Sequence, residues 1–130
     1  MDPKTITREL GIEPTGGWKA GESRTTPKGQ RLPGVYPSSY WYSRMPTKVG
    51  LTAAELVENT MNHLAPKKAF LRDVVASGGN WHLYITGGGD SIAEEFSFQT
   101  LALLSDAQGD LCLEVFRELP TRRKRLGSER

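Results

Sequence analysis

A single cysteine, Cys112, and two histidines, His63 and His82, make up the chain's stock of the side chains most used to hold metals or attack substrates. One thiol excludes an internal disulfide and fits a reducing compartment. Two well-separated histidines and a lone thiol give no metal-ligand spacing, so neither metal nor cofactor is expected. The same scarcity argues against a Cys–His nucleophile. Apolar runs are only a few residues long, too short for a membrane-spanning helix. Residues 1–15 carry Asp2, Lys4, Arg8, Glu9 and Glu13, a charge density foreign to a secretory signal. The expectation is a soluble cytoplasmic protein. With 130 residues and 37% hydrophobic side chains, the chain can bury one core, and disorder throughout is excluded.

The net charge of +2 hides a strong asymmetry. Residues 121–130 hold five cations and one anion, and 16–48 hold six cations against Glu22. Residues 49–120 reverse this, with four cations against ten anions. The basic character therefore belongs to a tail and to one internal segment, which weakens a nucleic-acid reading of the whole chain. The tail, "TRRKRLGSER", reads as a disordered, solvated end rather than a nucleic-acid or lipid anchor.

Local signals place the elements. Asp2 caps a short helix that opens at Pro3, carries Ile6 and Leu10 on one face and ends at Gly11. Residues 16–37 follow as a glycine-rich basic loop. "SSYWYSR", 38–44, reads as a strand between Pro37 and Pro46. Thr52 and Glu55 form a capping box for a helix with Leu56, Val57, Thr60, Met61 and Leu64 inward. Pro66 starts a second helix bearing Phe70, Leu71, Val74 and Val75, closed by Gly78-Gly79. "NWHLYIT", 80–86, alternates as a strand with Trp81, Leu83 and Ile85 on one face. "TGGGD", 86–90, is a turn. Ser97 caps a helix with Leu101 and Leu104 inward, and 110–116 is a last strand with Leu111, Leu113 and Val115 inward. The fold class expected is α+β. It is a single domain over 1–120, with a small, mainly antiparallel sheet of three to four strands and helices on one face.

In order along the chain, Asp2-Pro3, Ile6-Thr7, Leu10-Gly11-Ile12-Glu13-Pro14, Gly21-Glu22, Trp41, His63-Leu64-Ala65-Pro66 and the helix–strand unit 97–116 form a recognisable series. Together these landmarks resemble domain of unknown function 4279, an uncharacterised bacterial family. The resemblance covers roughly residues 2–117. It implies a compact α+β fold and brings no catalytic residues. Some relatives are associated with toxin–immunity or similar conflict systems, which implies protein binding of an immunity or inhibitor type. Members carry a strand ahead of the Asp-Pro motif, whereas this sequence starts at Met1-Asp2, so either that strand is absent or the true start lies upstream. A sheet short of that strand would expose a pairing edge, open to another chain or to a second copy in a homodimer.

Candidate chemistry has to be weighed against simpler roles. Gly16 and Gly21 have the spacing of a phosphate loop, but Glu22 stands where the lysine must be and a helix precedes the segment. A nucleotide loop is rejected. What remains is a basic surface of Lys19, Arg24, Lys28 and Arg31 for an acidic partner, against the simpler reading of a flexible connector. Trp18 fits the connector least, since an indole in a polar loop either docks on its own domain or meets a partner. If the three strands share one sheet, Tyr40, Tyr42, Arg44, His82, Tyr84 and Glu114 face outward together. Tyrosine and arginine are frequent at binding hot spots. A solvated sheet face is the competing view. The leading expectation is thus a non-catalytic, protein-binding module, with the balance tilted away from an enzyme. A ligand site or active centre built from His82, Tyr84 and Glu114 is the alternative. Nucleic-acid binding ranks below both.

Overall fold

The computed structural model describes residues 1–45, 50–88 and 93–116. The basic tail at 121–130 and the end of the glycine turn at 89–90 lie outside the described residues. The fold is α+β, and the chain divides into two compact units, Met1–Lys48 and Val49–Arg130.

The first unit begins with α1, Pro3–Leu10. The Lys4 N–H donates to the Asp2 carboxylate at 2.9 Å, and Gly11 closes the helix in the left-handed conformation at φ 68°. Only glycine adopts that conformation without a steric penalty, so the Leu-Gly pair stops the helix where it buries Leu10. Four short strands follow: β1 Gly16–Trp18, β2 Ser23–Thr25, β3 Arg31–Val35 and β4 Tyr40–Tyr42. β1 pairs antiparallel with β4, setting Gly16 opposite Tyr42, Gly17 opposite Trp41 and Trp18 opposite Tyr40. β2 and β3 form a hairpin whose turn is held by Thr26 N–H to the Gln30 carbonyl at 2.8 Å and Gln30 N–H to Thr26 Oγ1 at 3.0 Å.

The second unit opens with α2, Ala53–Leu64, under the full capping box. Glu55 N–H donates to Thr52 Oγ1 at 3.1 Å and Thr52 N–H donates back to the Glu55 carboxylate at 2.9 Å. A single 3-10 turn at Ala65–Lys67, made at Pro66, leads into α3, Lys68–Ala76. Next come β5 His82–Gly88, α4 Phe98–Asp106 and β6 Asp110–Phe116. Val57, Met61, Leu64, Leu71, Leu104 and Ala107 form the core of this unit, with Met61 fully buried. Trp81 completes it from the side. Its indole N–H donates to the Ala107 carbonyl at 2.9 Å, and its ring occupies the space that a side chain at Gly109 would need.

Several expectations are corrected here. The segment 16–37 is not a loop, because it contains β1, β2 and β3; strands of three to five residues leave too little alternation to be seen in sequence. The strands do not make one sheet but three separate pairs, β1–β4, β2–β3 and β5–β6. The first two are antiparallel as expected, while β5–β6 is parallel, because α4 lies between them and carries the chain back to the starting end. β5 runs on to Gly88, past the turn expected from 86. On α4 the buried positions are Thr100 and Leu104, joined by Ala107 at its C-cap, and Leu101 is 41% exposed. On β6, Leu111 is half-buried as expected, whereas Leu113 is 53% exposed and Cys112 is half-buried.

Candidate functional site

The predicted outward face splits between the two units. Tyr40, Tyr42 and Arg44 belong to the chain at and just beyond β4, paired with β1; His82, Tyr84 and Glu114 lie on β5–β6. They share no sheet, so no single sheet face carries all six residues expected from the sequence. Each half is a separate candidate.

The first unit carries the richer one. Trp18 stacks on Tyr36 with ring centroids 4.4 Å apart and planes at 10°. Tyr40 lies 4.9 Å from Trp18 at 36°, and Tyr42 lies 5.5 Å from Tyr40 at 32°. The four rings therefore form a continuous row. Its construction explains the Gly16-Gly17 pair. A Cβ at Gly16 would meet the Tyr42 ring within 2.9 Å, so that glycine makes room for the ring beside it. A Cβ at Gly17 would strike the Tyr40 carbonyl, and its φ of 148° adds backbone strain for any other residue. Glycines suspected of cradling phosphate instead let aromatic rings lie close to the strand.

Trp18 is docked on its own unit. Its indole N–H donates to the Ser38 carbonyl at 3.0 Å, and the Ala20 N–H binds Ser39 Oγ at 2.9 Å beside it. Tyr36 is held too, its hydroxyl accepting from the Thr25 N–H at 3.2 Å and donating to the Thr25 carbonyl at 3.4 Å. Tyr40 and Tyr42 remain 45% and 37% exposed. Half of the row is thus fixed scaffold and half is presented to solvent. Arg24, Lys28, Arg31 and Arg44 are exposed, and none forms an ion pair among the described residues. Lys19 does, at 3.2 Å from Asp2.

Beside the row lies an open groove of about 520 Å³, lined by the start of α1, by β1 and by Trp41. Trp41 donates its indole N–H to Thr7 Oγ1 at 3.0 Å, tying β4 to α1. The Lys4 N–H bonded to Asp2, together with the Lys19 ammonium, holds the Asp2 carboxyl below the usual carboxylate range. The Glu22 carboxylate accepts from the Lys19 N–H at 3.1 Å, closing the turn between β1 and β2.

On β5–β6 the register sets Tyr84 opposite Cys112 and Thr86 opposite Glu114. The Tyr84 hydroxyl donates to the Glu114 carboxylate, which, with a smaller contribution from desolvation, pushes the phenol up to about 12. His82 lies 6.1 Å from Tyr84, ring to ring. These side chains stand on an exposed strand surface and none lines the groove.

The sequence matches the family described as Domain of unknown function (DUF4279) over residues 1–115. The chain belongs to the DUF4279 family. The matched span runs through the first unit and most of the second. No curated protein and no solved structure matches the chain. Six of the residues on which the sequence resemblance rests, Asp2, Pro3, Thr7, Pro14, Glu22 and Trp41, line this groove. Five of them also have a structural duty. Asp2 and Pro3 start α1, Thr7 receives the Trp41 indole, and Glu22 closes a turn.

Proposed function

We propose that this DUF4279 protein is a non-catalytic, protein-binding module whose contact surface is the aromatic row of the first unit together with that unit's exposed cations. The observation that carries the reading is the half-fixed, half-exposed construction of the row. Trp18 and Tyr36 are locked by hydrogen bonds, so Tyr40 and Tyr42 are presented on a rigid base. Rings ordered in advance lose little entropy on association, and Tyr, Trp and Arg are the side chains that dominate binding energy at interfaces.

Trp18, Lys19, Arg24, Lys28 and Arg31 enter this surface together with Tyr40, Tyr42 and Arg44. Trp18 acts as a buttress rather than a contact held out for a partner. His82, Tyr84 and Glu114 fall outside it. A phenol whose proton is held by a carboxylate is the opposite of an activated acid, which disfavours the alternative of an active centre on β5–β6. Mutual stacking of Trp18 and Tyr36 also leaves few free ring faces for nucleobases.

The test is site-directed photo-crosslinking in the native host, with a benzophenone amino acid at position 40 or 42 and, as control, at exposed Phe98 in the second unit. A discrete protein adduct from positions 40 and 42, absent from 98, is expected. Adducts of equal pattern from all three positions, or none from 40 and 42, would overturn the assignment.

A further inference from the structure

The geometry of the aromatic row points to the class of partner it takes: we infer that it seats an extended, acidic, proline-bearing segment of another protein. This rests on the protein-binding reading above and goes beyond it by naming the chemistry recognised.

Ring tilt is the first argument. Trp18–Tyr40 and Tyr40–Tyr42 are inclined at 36° and 32°, so the row is a ridged aromatic surface instead of a stack of flat parallel faces. A nucleobase needs a free face to stack on. A pyrrolidine ring is compact, apolar and non-planar, and it packs across the exposed edges of neighbouring tyrosine rings rather than needing a free flat face. A proline-rich segment is also already ordered as a polyproline II helix, so it forfeits little entropy on docking against aromatic grooves.

Hydrogen bonding is the second. Such a segment makes no internal hydrogen bonds, and its carbonyls seek donors. Both nearby indole N–H groups are engaged internally, Trp18 with the Ser38 carbonyl and Trp41 with Thr7 Oγ1. The donors left at the exposed end of the row are the Tyr40 and Tyr42 hydroxyls. Specificity then falls on two residues whose rings also provide the apolar contact.

Charge is the third. Arg24, Lys28, Arg31 and Arg44 are exposed and lack an ion-pair partner among the described residues. Arg44 follows Tyr42 by two positions and its N–H is fixed to Thr15 Oγ1 at 2.8 Å, which anchors its backbone at the end of β4. Carboxylates flanking the prolines would meet these cationic groups, giving both steering and register.

The experiment is heteronuclear NMR titration of the full chain. The probes are peptides of about twelve residues, long enough for several turns of polyproline II. They alternate Pro with Glu, Pro with Gln and Gly with Glu; single-stranded oligodeoxythymidylate is the fourth probe. The Pro–Glu peptide is expected to give saturable shifts at Trp18, Tyr40, Tyr42 and Arg44. Its affinity should be about tenfold above that of the Pro–Gln and Gly–Glu peptides, and it should fall about tenfold or more in Tyr40→Ala/Tyr42→Ala. Well-dispersed spectra of that variant establish that it is folded. No saturable shift with the Pro–Glu peptide, an equal response to the Gly–Glu peptide, or tighter binding of the oligonucleotide would each overturn the inference. If these probes fail while a protein still crosslinks at positions 40 and 42, only the partner class is wrong. If crosslinking fails as well, the protein-binding reading falls with it.

Discussion

Replacing Gly109 by alanine should destabilise the protein by about 2 kcal/mol, because one methyl group has nowhere to go. The Cβ would lie 2.3 Å from Cζ2 of Trp81 and 2.5 Å from both Cε2 and Cη2. Carbon atoms rest at roughly 3.5–4.0 Å, so the indole has to retreat by about 1 Å. It is not free to do so, being held to the Ala107 carbonyl at 2.9 Å. Overpacking of this kind costs about 1–3 kcal/mol, and a weakened indole hydrogen bond adds about 1 kcal/mol. Against this, removing a glycine from the unfolded chain returns about 0.4–1 kcal/mol. Urea unfolding followed by circular dichroism at about 222 nm, where helix dominates, measures the result. A Trp81→Leu background completes a double-mutant cycle. There the clash disappears and Gly109→Ala should be neutral or slightly stabilising. A cost that is equal in both backgrounds, or below about 0.5 kcal/mol in the wild type, would refute the close approach of ring and glycine.

Three further outcomes are expected. Thr7→Val removes the acceptor of the Trp41 indole and should cost about 1–2 kcal/mol, with Thr7→Ser nearly neutral; equal losses for the two would deny the hydrogen bond. In an ultraviolet titration Tyr84 should ionise near 12, and Glu114→Gln should bring that transition down toward the ordinary tyrosine value of about 10. Because its folded pKa is raised, the Tyr84 contribution to stability is complete below about pH 10 and is lost as pH rises toward 12; Glu114→Gln should abolish that alkaline dependence. The Asp2 carboxyl, held low by the Lys4 N–H and by Lys19, has the opposite sign. Its contribution is present above about pH 4 and is lost in acid, so Asp2→Asn should flatten the acid limb of the stability curve of the first unit.

Local chemistry made much of the fold legible. Asp2 as cap, Gly11 as stop, the Thr52–Glu55 box and Ser97 as cap are each read from a few adjacent residues, and each forms the expected hydrogen bond or backbone geometry. The alternation of Trp81, Leu83 and Ile85 marks β5, because one side of that strand is covered and the other is open. What stayed hidden depends on residues distant in sequence. Gly16 and Gly17 look like loop residues until the rings of β4 arrive beside them. β5 and β6 look ready to join any neighbour, and only the crossover through α4 fixes them as a parallel pair. The placing of Tyr40, Tyr42 and Arg44 at alternate outward positions was visible; their separation from His82, Tyr84 and Glu114 was not, since strand alternation gives a face without giving the sheet it belongs to. A second signal of the candidate site was Trp18, too large and apolar for a free connector.

The central claim is that Tyr40 and Tyr42 carry recognition of a protein partner. Its most direct measurement is the dissociation constant of the protein crosslinked at these positions, determined for wild type, for Tyr40→Ala/Tyr42→Ala and for Tyr84→Ala at one salt concentration. The account predicts a rise of about tenfold or more for the double variant and no change for Tyr84→Ala. An unchanged constant for the double variant, or an equal rise for Tyr84→Ala, would contradict it.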